Sequence, residues 1–320
     1  MSDLSILVTG IGGDIGVNIV RCLKESSHKA KIYGCDADPY AFGKNKVIEF
    51  FQSPHAKREK EYFEFLKNVV RAKNIKYIYP APEAEIEYFH QHRDIGKELN
   101  AEVMINNNMI LDTFLDKYLT SEFLKTQGLP YARSFLMDQY RGELAYPLII
   151  KKRRGSGSKL VLVVKNDEEF DFYKRKYANE DLIVQEYLGN PNEEYTLGVF
   201  SDGQRSYCIP FRRHLFSDVG VTRLAELVVN NKLEQLGHAV AKITKLAGSL
   251  NIQLRKDGDR YVPFEINPRV SGTAYVRHYF GFRDVEWWLD IKEKRQVQYV
   301  PKYRQGVAVR AISEVFYDVC

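Results

Sequence analysis

The chain has 320 residues, 44% of them hydrophobic and 28% charged, which is enough for two or three packed units rather than one small module. No apolar run approaches the length of a membrane span, and the four cysteines (Cys22, Cys35, Cys208 and Cys320) form no CxxC pair, which argues against a disulfide scaffold or a structural zinc site. The net charge of +5 is modest, and the basic clusters at Lys57 to Lys60, Lys151 to Arg154 and Lys174 to Lys176 are separated by acids, so neither nucleic acid nor membrane is an expected partner.

In chain order, Ile6 to Thr9 reads as a short buried strand entered almost at once, which leaves no secretory signal and makes the cytoplasm the expected location. The strand runs into Gly10-Ile11-Gly12-Gly13-Asp14-Ile15-Gly16 and then into helical spacing at Ile15, Ile19, Val20 and Leu23. A second strand, Ile32 to Cys35, ends at Asp36. Tyr62, Phe65, Leu66 and Val69 share a helical stripe within Ala56 to Lys73, and Tyr77 to Tyr79 makes a third strand closed by Pro80. Helix over Glu83 to Leu99 and strand over Val103 to Ile105 complete an alternation that implies a parallel sheet. A helix from Leu111 to Lys125 ends at Gly128, and Pro130 prevents its resumption. Beyond a boundary near residue 110 the pattern becomes α+β. Strands are expected at Leu148 to Lys151, Leu160 to Val164, Ile183 to Tyr187, Tyr195 to Phe200 and Tyr207 to Phe211. A long helix over Leu233 to Leu250 follows, then strands around Gln253, Phe264 and Val307.

Several strings carry chemistry. The turn from Gly10 to Gly16 lets backbone approach a pyrophosphate at a helix N-terminus, with Asp36 placed as a ribose acid, although the same glycines could simply pack helix on strand. Lys151-Lys152-Arg153-Arg154-Gly155-Ser156-Gly157-Ser158-Lys159 lies between two β-runs and has no Walker spacing. It reads as a glycine-rich hairpin able to fold over phosphates, or as an exposed basic turn. The strand end Gln185-Glu186-Tyr187-Leu188 could present backbone to an adenine edge, and Glu194 could hold ribose hydroxyls. In Pro263-Phe264-Glu265-Ile266-Asn267-Pro268-Arg269, strand alternation puts Glu265, Asn267 and Arg269 on one face. Oxygen ligands of that kind suit Mg²⁺, and the guanidinium suits the phosphate such an ion carries. Gln253 joins this face if the turn at Asp257-Gly258-Asp259 is a three-residue loop; a two-residue loop would put it on the wrong face. Arg212, Arg213 and His214 are expected between an apolar strand and a helix, where they would contact an anion or only solvent. Trp287-Trp288 reads as core.

Taken in this order, the strings resemble the ATP-grasp superfamily, most closely its carbamoyl phosphate synthase large-subunit-like branch, over nearly the whole chain. The resemblance implies a mixed α/β and α+β architecture: a Rossmann-like parallel-sheet domain at 1–110, then a two-lobed ATP-grasp fold with lobes at 111–188 and 189–320. It implies ATP contacts from Lys117, Lys151, the lid residues Gly155, Ser156, Gly157 and Ser158, the hinge Gln185 to Leu188, and Glu194. Gln253, Glu265 and Asn267 correspond to ligands of Mg²⁺, or of Mn²⁺ in its place, while Arg269 and Lys151 would stabilise the transferring phosphoryl group. Gly12, Gly13, Glu83, Arg212, Ser271 and Gly272 are further candidates for the second substrate.

The chain departs from the synthase branch where an arginine would follow the Asn-Pro-Arg triplet, having Ser271-Gly272-Thr273 instead, and nothing resembles an ammonia-supplying amidotransferase. The resemblance therefore implies a stand-alone ligase, a homodimer in many relatives, that joins a small carboxylic acid to an amine, or to a thiol, through an acyl phosphate. An NAD(P)-dependent oxidoreductase using the N-terminal turn and a non-catalytic nucleotide sensor are the alternatives.

Overall fold

A computed structural model describes residues 4–155, 160–216, 220–300, 305–311 and 314–317. Cys320 and the lid residues Ser156, Gly157 and Ser158 lie outside these.

The first sheet is built from β1 (Ser5–Thr9), β2 (Lys31–Asp36), β3 (Phe50–Gln52), β4 (Tyr77–Tyr79) and β5 (Glu102–Val103), all parallel in the order β3-β2-β1-β4-β5. Helices α1 (Asp14–Lys24), α2 (Glu59–Lys73), α3 (Glu83–Gln91) and α4 (Ile95–Leu99) alternate with the strands. The strand order reverses between β1 and β4, so the crevice beyond their carboxyl ends is a topological switch point, where open α/β sheets bind ligands. The Gly-rich turn and the start of α3 border it. Gly10 adopts φ +63°, and a side chain there would collide with Pro82. The expected helix over Glu83 to Leu99 is broken at His92 to Asp94 into α3 and α4.

The linker carries α5 (Asn108–Phe114) and α6 (Lys117–Thr126) in place of one helix. They separate because Asp116 leaves helical geometry and its carboxylate accepts from the amides of Tyr118 and Leu119, capping α6. Next comes a four-stranded antiparallel sheet in the order β6-β9-β7-β8, from β6 (Ser134–Leu136), β7 (Leu148–Lys152), β8 (Val161–Val164) and β9 (Leu182–Glu186). Helix α7 (Asp167–Lys176), capped by Asn166, lies between β8 and β9 in sequence, and its Phe170 joins the apolar cluster with Leu148, Ile150 and Val184.

The last sheet is antiparallel with six strands: β10 (Glu194–Asp202), β11 (Ser206–Leu215), β12 (Thr222–Leu227), β13 (Ala247–Asp257), β14 (Arg260–Asn267) and β15 (Gly306–Val309), in the order β14-β13-β10-β11-β12-β15. Leu197, Val199, Leu250 and Ile252 pack on one side with Leu233, Leu236 and Val240 of α8 (Asn231–Ile243). That helix ends well short of the expected Leu250: Thr244 and Lys245 close it, and the apolar residues beyond enter β13 with period two instead. Arg212, Arg213 and His214 are not a loop before a helix. They continue β11, which pairs with β12, an element absent from the sequence reading along with β3, β6, α7 and the two short helices that follow β14.

Those helices, α9 (Ala274–Tyr279) and α10 (Asp284–Lys292), tie the last sheet to the first domain. Trp287 and Trp288 are buried in a core shared by Ile19, Leu23, Tyr79 and Phe200. At its edge Arg277 is 1% exposed and Asp284 0%, and their side chains pair at 2.6 and 3.2 Å, with Ser249 Oγ donating to Asp284 at 2.6 Å. Gly198 leaves the space that the Arg277 guanidinium fills. Arg277→Ala strands a buried carboxylate and is expected to lower unfolding free energy by about 3–5 kcal/mol in urea titration, with Asp284→Asn in the same chain restoring part of it.

Candidate active site

The four- and six-stranded sheets face each other across a cleft of about 930 Å³. On the four-stranded side, cross-strand pairing sets Ile149 beside Val163 and Lys151 beside Val161 on the cleft face, while Leu148 and Ile150 point into the core. Val161 and Val163 stay about half exposed, so this wall is apolar and open. Gln185, Glu186 and Leu188 border it. Gln185 is buried and donates to Ser134 Oγ at 2.8 Å, and Glu186 accepts from the Arg133 amide, so their side chains brace the strand end; Tyr187 turns away and stacks under Arg255.

The polar wall is the face of the six-stranded sheet that carries Glu194, Thr196, Gln253, Glu265 and Asn267. Its register corrects the expectation for the hairpin. Asp257 pairs with Arg260, so the loop has two residues, which by itself would put Gln253 on the opposite face from Glu265. A β-bulge restores the match: Leu254 pairs with Pro263 but Gln253 pairs with Glu265, leaving Phe264 as the extra residue. Gln253 and Glu265 are thus directly opposed, and Asn251 opposes Asn267 two pairs further on, on the same face. The freed Phe264 carbonyl accepts from Lys151 Nζ at 3.2 Å across the cleft.

Charge is concentrated around Glu265. Lys117, at the first turn of α6, stands 3.5 Å from it and donates to the Gly155 carbonyl at 2.6 Å, linking the hairpin base to β14. Asp116, fully buried, holds the same base through Arg153 at 2.7 Å and Arg154 at 3.3 Å. Burial would raise the Glu265 carboxyl, but the fields of Lys117, Lys151, Arg269 and Arg213 outweigh it and hold the group below the usual carboxylate range. Lys151 is almost fully buried, and loss of water lowers its ammonium to about 7 against the partial support of Glu265. Glu83, at the start of α3, is raised by burial despite the nearby charges of Arg269 and Lys117.

Not every candidate stands free. Glu194 is buried with one oxygen on Arg213, whose Nε is 2.9 Å away, and the other on Arg255 at 3.0 Å. Arg213 also donates to Gln253 Oε1 at 2.9 Å. Arg212 points to the other side of β11, onto Glu193. The Ser271 hydroxyl is engaged by Thr273 and Arg277. Gly272 lines the cleft, and its carbonyl accepts from Asn18 and Arg310. The Gly12 amide donates to Asp36 at 2.7 Å and that of Gly13 to the Gly10 carbonyl, so Asp36 braces the turn in which it was expected to face a ribose. Arg213, expected to contact an anion or only solvent, is instead committed to Glu194 and Gln253 at the cleft wall, while Arg255 and Asn251 were missed as site residues. Arg255 and Asn251 could have been found, since each is two residues from Gln253 and shares its face.

Two family models match: one for ATP-grasp in the biosynthetic pathway with Ter operon, over residues 178–315, and one for the PylC-like N-terminal domain, over residues 6–104. No curated protein matches by sequence. Among solved structures, N5-carboxyaminoimidazole ribonucleotide synthetase from Thermus thermophilus superposes with TM-score 0.76 at 15% identity, over 95% of this chain and 82% of that one. The biotin carboxylase domain of the Hydrogenobacter thermophilus 2-oxoglutarate carboxylase, in complex with MgADP and bicarbonate, gives 0.75 at 15%, over 93% and 71%. L-amino acid ligase from Bacillus licheniformis gives 0.70 at 14%, over 89% and 73%. With its parallel-sheet first domain and a cleft between two antiparallel sheets, the chain has the ATP-grasp fold, and it carries a PylC-like N-terminal domain and an ATP-grasp domain over the residues these models match.

Proposed function

We propose that this chain is an ATP-dependent, ADP-forming ligase that activates a carboxylate as an acyl phosphate and transfers the acyl group to an amine. The observation that carries the reading is the ring of Lys117, Lys151 and Arg269 around Glu265, on a strand whose neighbouring oxygens face an apolar-walled cleft. The apolar wall of Ile149, Val161 and Val163 suits a flat base, and the strand end at Gln185 to Leu188 lies beside it. The phosphates would then run toward Lys117, Lys151 and the base of the glycine-rich hairpin. The thiol alternative for the acceptor has no specific support in the cleft.

The donor set fits a divalent cation delivered with nucleotide rather than one bound alone. Glu265 is its single carboxylate, Asn267 and Gln253 add amide oxygens, and the Gln253 oxygen is already engaged by Arg213. Mg²⁺ is characteristically held by one or two carboxylates together with substrate phosphates, where it neutralises charge and fixes phosphate geometry. No cluster of three or more His, Cys, Asp or Glu suited to a metal occurs among the described residues. Mg²⁺ alone is therefore expected to leave the melting temperature unchanged, whereas MgADP raises it; a rise with Mg²⁺ alone would count against this ligand set.

In this scheme Arg269 and Lys117 neutralise the phosphoryl oxygens as the substrate carboxylate attacks, and Lys151 holds the phosphates in line. Positioning and electrostatics supply most of the acceleration. Glu265→Ala and Arg269→Ala are each expected to reduce ADP release about 100-fold or more while leaving circular dichroism unchanged; near-normal turnover in either would overturn its assigned role.

Lys151 also sets a pH signature. Its folded value near 7 lies below the ordinary 10.5, so its burial opposes folding most below pH 7, and this penalty fades as pH rises toward 10.5. Above pH 7 the free protein holds the amine largely uncharged, and bound phosphate restores the charge. MgADP binding at pH 8 is thus expected to take up close to one proton, with the uptake falling below pH 7 and absent in Lys151→Met. Calorimetry in buffers of differing ionisation enthalpy measures it.

A further inference from the structure

Beyond Arg269 the cleft continues to a corner where three elements from distant parts of the chain meet. Asp14 and Ile15 come from the first turn of α1, Gly272 from the loop after β14, and Arg310 from just beyond the edge strand β15; all line the same cleft as Glu265. Arg310 Nη1 donates to Asp14 Oδ2 at 3.0 Å, and Nη2 donates to the Gly272 carbonyl at 2.8 Å. A side chain at Gly272 would collide with the Asp14 carboxylate, so glycine there is what allows the acid to sit against the loop. The backbone of Arg310 is held in turn by the Arg223 carbonyl at 2.8 Å. The Arg223 side chain lines the cleft without a partner among the described residues.

This pair is poorly explained as structural adhesive. Arg310 is 27% and Asp14 42% exposed at the side chain, and a part-exposed pair of this kind adds little to stability. What holds the domains together is the buried core around Trp287 and Trp288. A cation and an anion fixed side by side at a cleft wall present the complement of a molecule that carries both charges a few ångströms apart. Such a molecule can replace the pair by satisfying each partner separately. The first turn of α1 has no side-chain cap, so its amides add donors for the anionic end.

We propose that this corner binds a free α-amino acid as the amine substrate, its ammonium on Asp14 and its carboxylate on Arg310, with Arg223 as a second cation. The inference rests on the ligase reading and narrows it. The nitrogen attacks the acyl carbon, an N–C bond forms, and the C–O bond to phosphate breaks. Of the two protons lost by the ammonium, one leaves on inorganic phosphate and one passes by way of the Asp14 carboxylate to solvent. The amino acid's own carboxylate stays unreacted on Arg310, so the product retains it.

The test is calorimetric titration of the MgADP-loaded protein with each of the standard amino acids, alongside their carboxamides and decarboxylated amines. At least one amino acid is expected to bind, with both analogues about tenfold or more weaker. Arg310→Met and the near-isosteric Asp14→Asn are each expected to weaken amino-acid binding about tenfold or more while MgADP affinity is retained, which separates a lost contact from a lost fold. If MgADP binds and no amino acid does, or if the analogues bind as well as the amino acid, or if both variants bind it normally, the inference is overturned while the ligase reading stands. If MgADP itself fails to bind the wild-type protein, the ligase reading falls and the inference with it.

Discussion

One extra residue in β14 organises the site. A two-residue turn closes the β13–β14 hairpin, and without compensation it would turn Gln253 to the side opposite Glu265. The bulge at Phe264 absorbs the mismatch. It also releases a carbonyl that reaches across to Lys151, so the same irregularity that aligns the oxygen donors couples the two walls of the cleft. Pro263 just before it, having no N–H to offer the ladder, sits where the regular pairing is about to lapse.

The surrounding structure keeps that strand end in place. Asn106, at the exit of the first domain, donates its amide to the carbonyls of Ser249 at 2.8 Å and Pro268 at 2.9 Å, pinning the start of the loop that carries Arg269. Arg277 and Asp284 hold the far side of the same loop through Ser271. Followed along β10, a single face passes from cleft (Glu194, Thr196) through Gly198 to core (Phe200), and the change from polar to apolar marks where the first domain docks.

Much of this was legible from residues alone. The strand-to-helix alternation of the first domain is written in its periodicity, and Gly128, at φ +66°, ends α6 as its position implies. The grouping of Glu265 and Asn267 followed from period two, whereas β14 ends at Asn267 and Arg269 reaches the same cleft from the loop beyond it. What could not be read were features set by partners distant in sequence. Asp116 breaks a helix because it is drawn to Arg153 and Arg154, and the α8 terminus was overrun because Leu246 and Leu250 suit helical spacing while their neighbours suit a strand. The bulge is visible only in pairing, and Asp36 looked like a ribose acid because nothing in its own segment shows that Gly12 claims it.

The setting of Lys151 has a consequence for chemical intervention. An amine whose charge burial disfavours, so that it titrates near neutrality beside an apolar wall, is a nucleophile among described lysines that are otherwise mostly solvated. A flat heteroaromatic scaffold that fills the wall beside Val161 and Val163 and carries a mild acylating group would place that group within reach of one lysine among many. Selectivity would come from the ease with which this buried ammonium gives up its proton, and reversible occupancy of the cleft would become permanent.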